Sequence, residues 1–274
     1  MQLNVNKSID AQTAFAHDPD ARSATIVAIQ EPYLDHLGSS RAPPGWIPIY
    51  PSHHHKKDQP RSRSFLAVNP RLSPNAWEQV PCPSPDVTAM KVQTPVGLIL
   101  ICNIYNPCDV NTSLPHVSTL LRAHRGHVII LGDFNRHHPD WDEARNAHLF
   151  TSAALDLAQP LLDIINDRPL GMALPRDIPT LQSTSSKNYT RPDNVFISSP
   201  LIDSLVSCNT IPASRPPCTD HFPIATTLDI TPTEVPRIIK PNFKKTNWPL
   251  FRQVLEGKLA ELPRSTPNQR SGGD

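Results

Sequence analysis

The chain has no run of ~20 apolar residues, so no membrane-spanning helix is expected. Its opening, Met1-Gln2-Leu3-Asn4-Val5-Asn6, lacks a basic segment followed by an apolar run, and no secretory signal is expected. Glycine is scarce: 9 residues of 274, against 32 prolines, where ordinary proteins carry ~7% and ~5%. That excludes a Gly-X-Y collagen and a long uninterrupted coiled coil, and predicts a loop-rich fold whose segments stop at proline. The five cysteines (Cys82, Cys102, Cys108, Cys208, Cys218) are odd in number and contain no C-x-x-C pair. Neither a disulfide framework nor a zinc site is therefore expected, and a reduced intracellular compartment fits. Charge of one sign is missing too: Lys+Arg 26 against Asp+Glu 25 gives a net +1, so any basic surface must be local.

What is present is a succession of apolar, β-branched runs that read as strands over 2–5, 24–30, 65–68, 87–92, 97–105, 127–131, 193–197, 206–210 and 224–230. Helices are expected between some of them. One is capped from 111–113 and runs to about 125; one spans 147–167 with a break at Pro160; a shorter one spans 8–15. Strands and helices alternate early and strands follow one another late, which predicts layered α and β. Residues 43–63 read as a surface loop. We assign 1–230 to one domain and 231–274 to a linker-like tail with eight basic and four acidic residues. Within that tail an amphipathic helix is expected over 248–262, with Asn247 as cap and Pro249 in the first turn, and the last dozen residues read as disordered.

The polar residues sit at strand ends. Asn4 lies in the first strand, Glu31 follows the second, and Tyr105 ends a later one. Asp133 and Asn135 follow Val128-Ile129-Ile130-Leu131; Asp193, Asn194, Asp220 and His221 precede apolar segments. Strand ends are where a rigid scaffold delivers side chains to a common cleft. Four carboxylates gathered there repel and call for a cation, and all-oxygen ligation suits Mg²⁺ or Mn²⁺. Beside a histidine and carboxamides, such a cation suits phosphate-ester hydrolysis. Taken singly, each residue has a plainer reading: an Asp after a strand forms turns or caps, Tyr105 can be a core-edge aromatic, and Asn135 a turn residue. Only the joint arrangement points to a metal-dependent phosphoesterase.

Five blocks in order, Ile29-Gln30-Glu31-Pro32, Asn103-Ile104-Tyr105, Leu131-Gly132-Asp133-Phe134-Asn135, Arg191-Pro192-Asp193 and Thr219-Asp220-His221, resemble the endonuclease/exonuclease/phosphatase superfamily over about residues 2–230. The stretch Asp133-Phe134-Asn135-Arg136-His137-His138-Pro139-Asp140-Trp141 and the opening 2–8 are similar to the apurinic-type endonuclease domain of non-LTR (LINE-like) retrotransposons. Lys244-Lys245-Thr246-Asn247-Trp248 resembles the linker that leads into their reverse transcriptase. The resemblance implies a DNase I-like, four-layer α-β-β-α sandwich of two mixed β-sheets. It implies Glu31 as main metal ligand with Asp220 assisting the metal or the leaving group, for Mg²⁺ with Mn²⁺ as substitute. Asn4 would hold the phosphate or metal network, and Tyr105 would contact the scissile phosphate. Asp133 with Asn135 would activate water, and His221 would bind the phosphoryl oxygen, oriented by Asp193. Thr180 would match a threonine near a DNA-binding hairpin. The implied activity is nicking of one DNA strand to leave a 3′-hydroxyl that primes reverse transcription, in the nucleus, with a reverse transcriptase domain as partner in a full element. The departures are Thr219 for serine, Asn194 after Asp193, and Asn6 where repair relatives have an acidic ligand.

Three alternatives are carried forward: a catalytically inactive retroelement remnant, a phosphatase or exonuclease on another phosphoester, and abasic-site repair. Among the remaining features, 53–57 reads as a solvated loop, His137-His138 as part of a packed turn, and Cys102 as core. Trp46 and Trp77 are as suited to packing under loops as to stacking on bases, and the basic tail could contact phosphates.

Overall fold

In each long strand the side chains alternate between two apolar environments, which a strand achieves only when both faces are covered. Along Gly97–Tyr105 the residues Leu100, Cys102 and Ile104 face one cluster while Ile99 and Ile101 face another. The same alternation separates Val128 and Ile130 from Ile129 in His127–Asp133. In the other half of the molecule it separates Val27 and Ile29 from Ala28 in Ile26–Gln30. Three apolar layers result, one between two sheets and one under the helices outside each sheet.

The computed structural model describes residues 1–54, 60–230 and 246–260. One sheet orders its strands Leu205–Thr210, Ile224–Leu228, Gln2–Asn4, Ile26–Gln30, Ser64–Val68 and Ile47–Ile49. The other orders Trp77–Val80, Val87–Thr94, Gly97–Tyr105, His127–Asp133, Asp193–Ser198 and Leu170–Met172. Each sheet is mixed, with one parallel pair at its centre: Gln2–Asn4 beside Ile26–Gln30, and Gly97–Tyr105 beside His127–Asp133. Parallel neighbours need a crossover, and helices supply it. Ile9–His17 and Pro19–Ser23 bridge the first pair and Leu114–Ala123 the second. The architecture is the expected α-β-β-α sandwich.

All nine expected strands form, and the ones not foreseen are short or lie at sheet edges. Ile47–Ile49 falls within 43–63, so part of that expected loop is a strand; its central Pro48 suits an edge, where one face of the backbone needs no partner. Two helix expectations are corrected. The helix Ser152–Asp167 continues through Pro160 without a break, preceded by a separate 3₁₀ turn at Ala144–Leu149. Ser113 precedes Leu114–Ala123 but does not cap it: its hydroxyl donates to Asn106 Oδ1 at 2.7 Å. Ser8 does cap Ile9–His17, accepting from Ala11 N at 3.1 Å.

The chain divides into units Met1–Val235 and Pro236–Asp274. In the second, Trp248–Ala260 is helical and Asn247 Oδ1 accepts from Leu250 N at 3.2 Å, the expected cap. Residues 261 and 262 of the expected helix, the last dozen residues and the basic segment 244–245 lie outside the described residues, as do 55–57 of the histidine- and lysine-rich loop. No helix among the described residues is long and apolar enough to cross a membrane.

Candidate active site

The rows of side chains between the sheets change character at one end of the sandwich. Ile99 and Ile101 give way two residues at a time to Asn103 and Tyr105; Ile129 and Leu131 give way to Asp133; Ile197 and Val195 lead to Asp193. The strand register puts these ends side by side, with Tyr105 paired to Asp133 and Asp133 to Asp193. In the facing sheet Asn4 pairs with Gln30, and Gln30 with Ser64. Hydrogen bonds stitch the two ends together. Asn4 Nδ2 donates to Asp133 Oδ2 at 2.8 Å, Gln30 Nε2 to Asn103 Oδ1 at 2.5 Å, and Ser64 Oγ to the Asn103 carbonyl at 2.9 Å. A polar floor thus closes the apolar core and opens upward as a site.

Two carboxylates meet directly on that floor, an arrangement that repels unless something relieves it. Burial, reinforced by the charge of Asp193, pushes the Asp133 carboxyl up to about 7, against relief from His221, Asn4 and the Asn135 amide. Asp193 is better served. Its Oδ2 accepts from Thr180 Oγ1 at 2.7 Å and faces His221 Nδ1 at 2.8 Å. Burial disfavours a charged His221, but Asp193, with help from Asp133 and Asp220, outweighs it and lifts the imidazolium to about 9. With Nδ1 committed to Asp193, Nε2 is left facing Asp220, whose Oδ1 lies 3.8 Å away at the rim. Thr219 fixes the approach of this loop: its hydroxyl donates to the Asn4 carbonyl at 2.8 Å and accepts from His221 N at 3.3 Å. The threonine that stands where serine is common keeps the hydroxyl this contact needs.

Around the rim the backbone is strained. Asn6, Lys7, Glu31 and Asn135 are all left-handed, with φ of 51°, 56°, 47° and 49°, and strain of this kind gathers at functional sites. At Asn135 it lets the amide donate to Asp133 Oδ1 at 3.0 Å while the side chain donates to the Asn106 carbonyl at 3.0 Å. Tyr105 lies beside Glu31. Burial first, then the charge of Glu31 and a hydrogen bond to it, holds the phenol well above its ordinary range, so it remains a donor. Arg63 forks onto Asp86 at 2.7 and 2.8 Å and lies 4.8 Å over the Tyr105 ring, which fixes that ring from behind.

The donor set fits a hard divalent cation. Glu31, its side chain 11% exposed, is a carboxylate at the mouth, and Asp220 offers a second. Asp133, Asp193 and His221 present ligand atoms within 4.8 Å of one another. There Asp193 is already bonded to Thr180 and His221, Asp133 to Asn4 and the Asn135 amide, and His221 is held as the cation, so the carboxylates at the mouth are the freer ligands. The nearby Cys108 thiol donates to Asn135 Oδ1 at 3.3 Å; burial and the charge of Asp133 raise it, so it offers no thiolate. Oxygen donors with no thiolate match Mg²⁺ or Mn²⁺.

All the site residues expected from sequence fall on or around this floor, Thr180 through its hydrogen bond to Asp193. Thr180 comes just before the two-stranded hairpin Leu181–Gln182 and Tyr189–Thr190, but it is fully buried. Its hydroxyl donates to Asp193 Oδ2. His137 and His138 behave as a packed turn: His137 Nδ1 is 2.8 Å from Asp142 Oδ2, His138 packs on Trp141, and Trp141 is buried with Nε1 donating to the Arg136 carbonyl at 3.0 Å. Trp46 and Trp77 pack against core clusters, and Cys102 is fully buried.

Three arginines that hold the site together were not foreseen. Arg136, buried, donates to the carbonyls of Pro107, Cys108 and Leu157 at 3.0 Å each, to Val110 at 2.8 Å and to Asn135 at 2.6 Å, locking the loop beside Asp133. Arg191, also buried, binds Asn194 Oδ1 and the carbonyls of Leu174 and Pro175, bracing the strand that bears Asp193. Arg63 is the third. The sequence does carry a signal for two of them, since Arg136 and Arg191 lie inside recognisable blocks, but most of their partners are carbonyls from distant segments. Adjoining the site at Asn6 and Asp220, a cleft of about 720 Å³ runs between the hairpin and the segment before His221, lined also by Gln182, Thr184, Lys187 and Arg215.

Residues 99–225 match a family model described as endonuclease-reverse transcriptase. Among solved structures the chain is similar to the endonuclease domain of TRAS1, a telomere-specific non-LTR retrotransposon, at 17% identity and TM-score 0.63, covering 83% of this chain and 96% of that one. It is also similar to the AP endonuclease LMAP from Leishmania major (14%, TM-score 0.64, 83% and 86%). A third likeness is to the 3′-5′ exonuclease NExo from Neisseria meningitidis (19%, TM-score 0.59, 83% and 98%). No curated protein sequence matches. The family match over residues 99–225, the shared sandwich and the five blocks converging at its open end agree with the resemblance to the endonuclease/exonuclease/phosphatase superfamily and, within it, to the endonuclease domain of non-LTR retrotransposons.

Proposed function

We propose that the chain is a divalent-metal-dependent phosphodiester hydrolase that nicks one strand of DNA, leaving a 3′-hydroxyl and a 5′-phosphate. The observation that carries this reading is the buried pairing of His221 with Asp193 beside the Asn4–Asp133 contact. His221, held as the imidazolium by Asp193, donates from Nε2 to a non-bridging phosphoryl oxygen. Asp133, lifted to about 7, sits where a carboxyl can take a proton at neutral pH; with the amide and side chain of Asn135 it orients and deprotonates the attacking water. Asn4 holds the Asp133 carboxylate, and Tyr105, kept protonated, donates to the phosphate from the other side. A Mg²⁺ or Mn²⁺ ion held by Glu31 with Asp220 would supply electrostatic stabilisation of the phosphoryl charge and the leaving oxygen.

In a longer element the 3′-hydroxyl would prime a reverse transcriptase, and a DNA substrate would place the reaction in the nucleus; the family match and the TRAS1 likeness support this setting. An inactive remnant is disfavoured because the sequence retains each residue to which the resemblance assigns a role. The test uses a duplex labelled on one strand. The expected product is a nick whose 3′ end a DNA polymerase extends without prior treatment. Products that cannot be extended, or release of phosphate from inositol phosphates in place of nicking, would overturn the assignment, and cleavage confined to an abasic site would move it to repair.

A further inference from the structure

The turn after the first strand places a cation on Glu31. Asn6 and Lys7 are consecutive left-handed residues, a conformation that side chains with a Cβ adopt only when their surroundings impose it. Three hydrogen bonds do so here. Asn6 N donates to Asn4 Oδ1 at 2.8 Å, Lys7 N to the Glu31 carbonyl at 2.8 Å, and Ser8 N to the Val5 carbonyl at 2.9 Å. The consequence is that Lys7 Nζ lies 3.1 Å from Glu31 Oε1. Glu31 is left-handed as well, and its amide is tied to the Arg63 carbonyl at 2.9 Å. Two strained segments thus meet, joined once through backbone and once through an ion pair. The exposures are unequal: the Lys7 side chain is 66% exposed and that of Glu31 11%, so the ammonium covers the carboxylate from the solvent side.

We propose that Lys7 is a built-in competitor for the divalent cation at Glu31. The inference rests on the metal reading above. The ammonium neutralises Glu31 while no metal is bound and must move off before the carboxylate can act as a ligand. Lysine suits this better than arginine, being a point charge on a flexible, exposed stem that returns readily to water, whereas a guanidinium would hold the carboxylate by two bonds. Lys7 then sets the metal concentration at which the site fills, and keeps a nearly buried carboxylate paired below it. A half-exposed pair of this kind is weak, so the competition is modest: removing the ammonium tightens metal binding by roughly three- to tenfold.

The test is Mn²⁺ binding to the full chain, read by calorimetry or by the loss of free-ion electron paramagnetic resonance signal, with no substrate present. Glu31→Gln is the reference for the metal reading. Equal Mn²⁺ binding by wild type and Glu31→Gln would remove Glu31 as a ligand and with it this inference. With Glu31 established, Lys7→Met is expected to bind Mn²⁺ three- to tenfold more tightly, Lys7→Arg no more tightly than wild type, and Lys7→Met added to Glu31→Gln to change nothing. Lys187→Met removes a positive charge from the neighbouring cleft. Unchanged or weaker binding by Lys7→Met would overturn the proposal, as would an equal gain in Lys187→Met, which would reduce the effect to general charge.

Discussion

Thr180 and His221 converge on one atom, Oδ2 of Asp193, at 2.7 and 2.8 Å. The threonine belongs to the approach to the hairpin and the histidine to the loop before the last strand of the facing sheet. Asp193 therefore joins the two sheets at the point where the chemistry is placed, and its orientation is fixed twice. Asp193→Asn is expected to let the His221 imidazolium fall from about 9 toward ordinary imidazole values, and to slow nicking by roughly 10²- to 10⁴-fold. Histidine NMR titration reads the first and a plasmid assay the second. An unmoved His221 titration would separate the two residues functionally.

Thr180→Val keeps the shape and removes one of those two donors. The expected loss is about 1–3 kcal/mol of stability, because Asp193 stays buried with one partner fewer. Urea unfolding measures it. Thr180→Ser, which retains the hydroxyl, should recover most of the loss.

The site makes the metal-free protein less stable as pH rises. His221, raised to about 9, contributes stability that is complete below its ordinary value of ~6.5 and is lost as pH climbs through about 9. Asp133 works in the same direction: its carboxyl is raised to about 7, so folding takes up a proton between ~4 and about 7 and stability falls across that window. Thermal melts without divalent metal should decline from pH 5 to pH 10. Asp133→Asn should remove the lower part of the decline and leave a protein that is inactive yet more stable at pH 8, by on the order of a few kcal/mol. A flat profile in wild type would contradict the electrostatic description of this pair.

Pro160 offers a test outside the site. The helix Ser152–Asp167 runs through it, although a proline lacks the amide that the turn would use. Pro160→Ala should restore that bond and stabilise the protein by about 1–3 kcal/mol in urea unfolding, with no change in nicking. Destabilisation would mean that the ring contributes packing not matched by alanine.

The sheets were legible because alternation in strands such as 97–105 and 127–131 writes both faces of a buried strand into the sequence. The site was legible for a related reason: the alternation fixes which polar residue ends each inner row, so Tyr105, Asp133 and Asp193 could be named before their register was known. Short edge strands such as Ile47–Ile49 and Leu170–Met172 were not legible, since three residues hold no period. Arg136 and Arg191 escaped for a different reason. Most of the carbonyls they bind are brought close only by the fold, and no local pattern records that. Thr180 was named from resemblance alone, and only the register of the finished sandwich reveals that its hydroxyl points at Asp193.

The most direct test of the central claim is conversion of supercoiled plasmid to open circle by the purified protein in Mg²⁺, with EDTA, Glu31→Ala and His221→Ala run in parallel. The account predicts nicking by wild type and its loss in all three controls, with both variants retaining wild-type circular dichroism. Nicking that survives in His221→Ala, or no nicking by folded wild type in either Mg²⁺ or Mn²⁺, would contradict it.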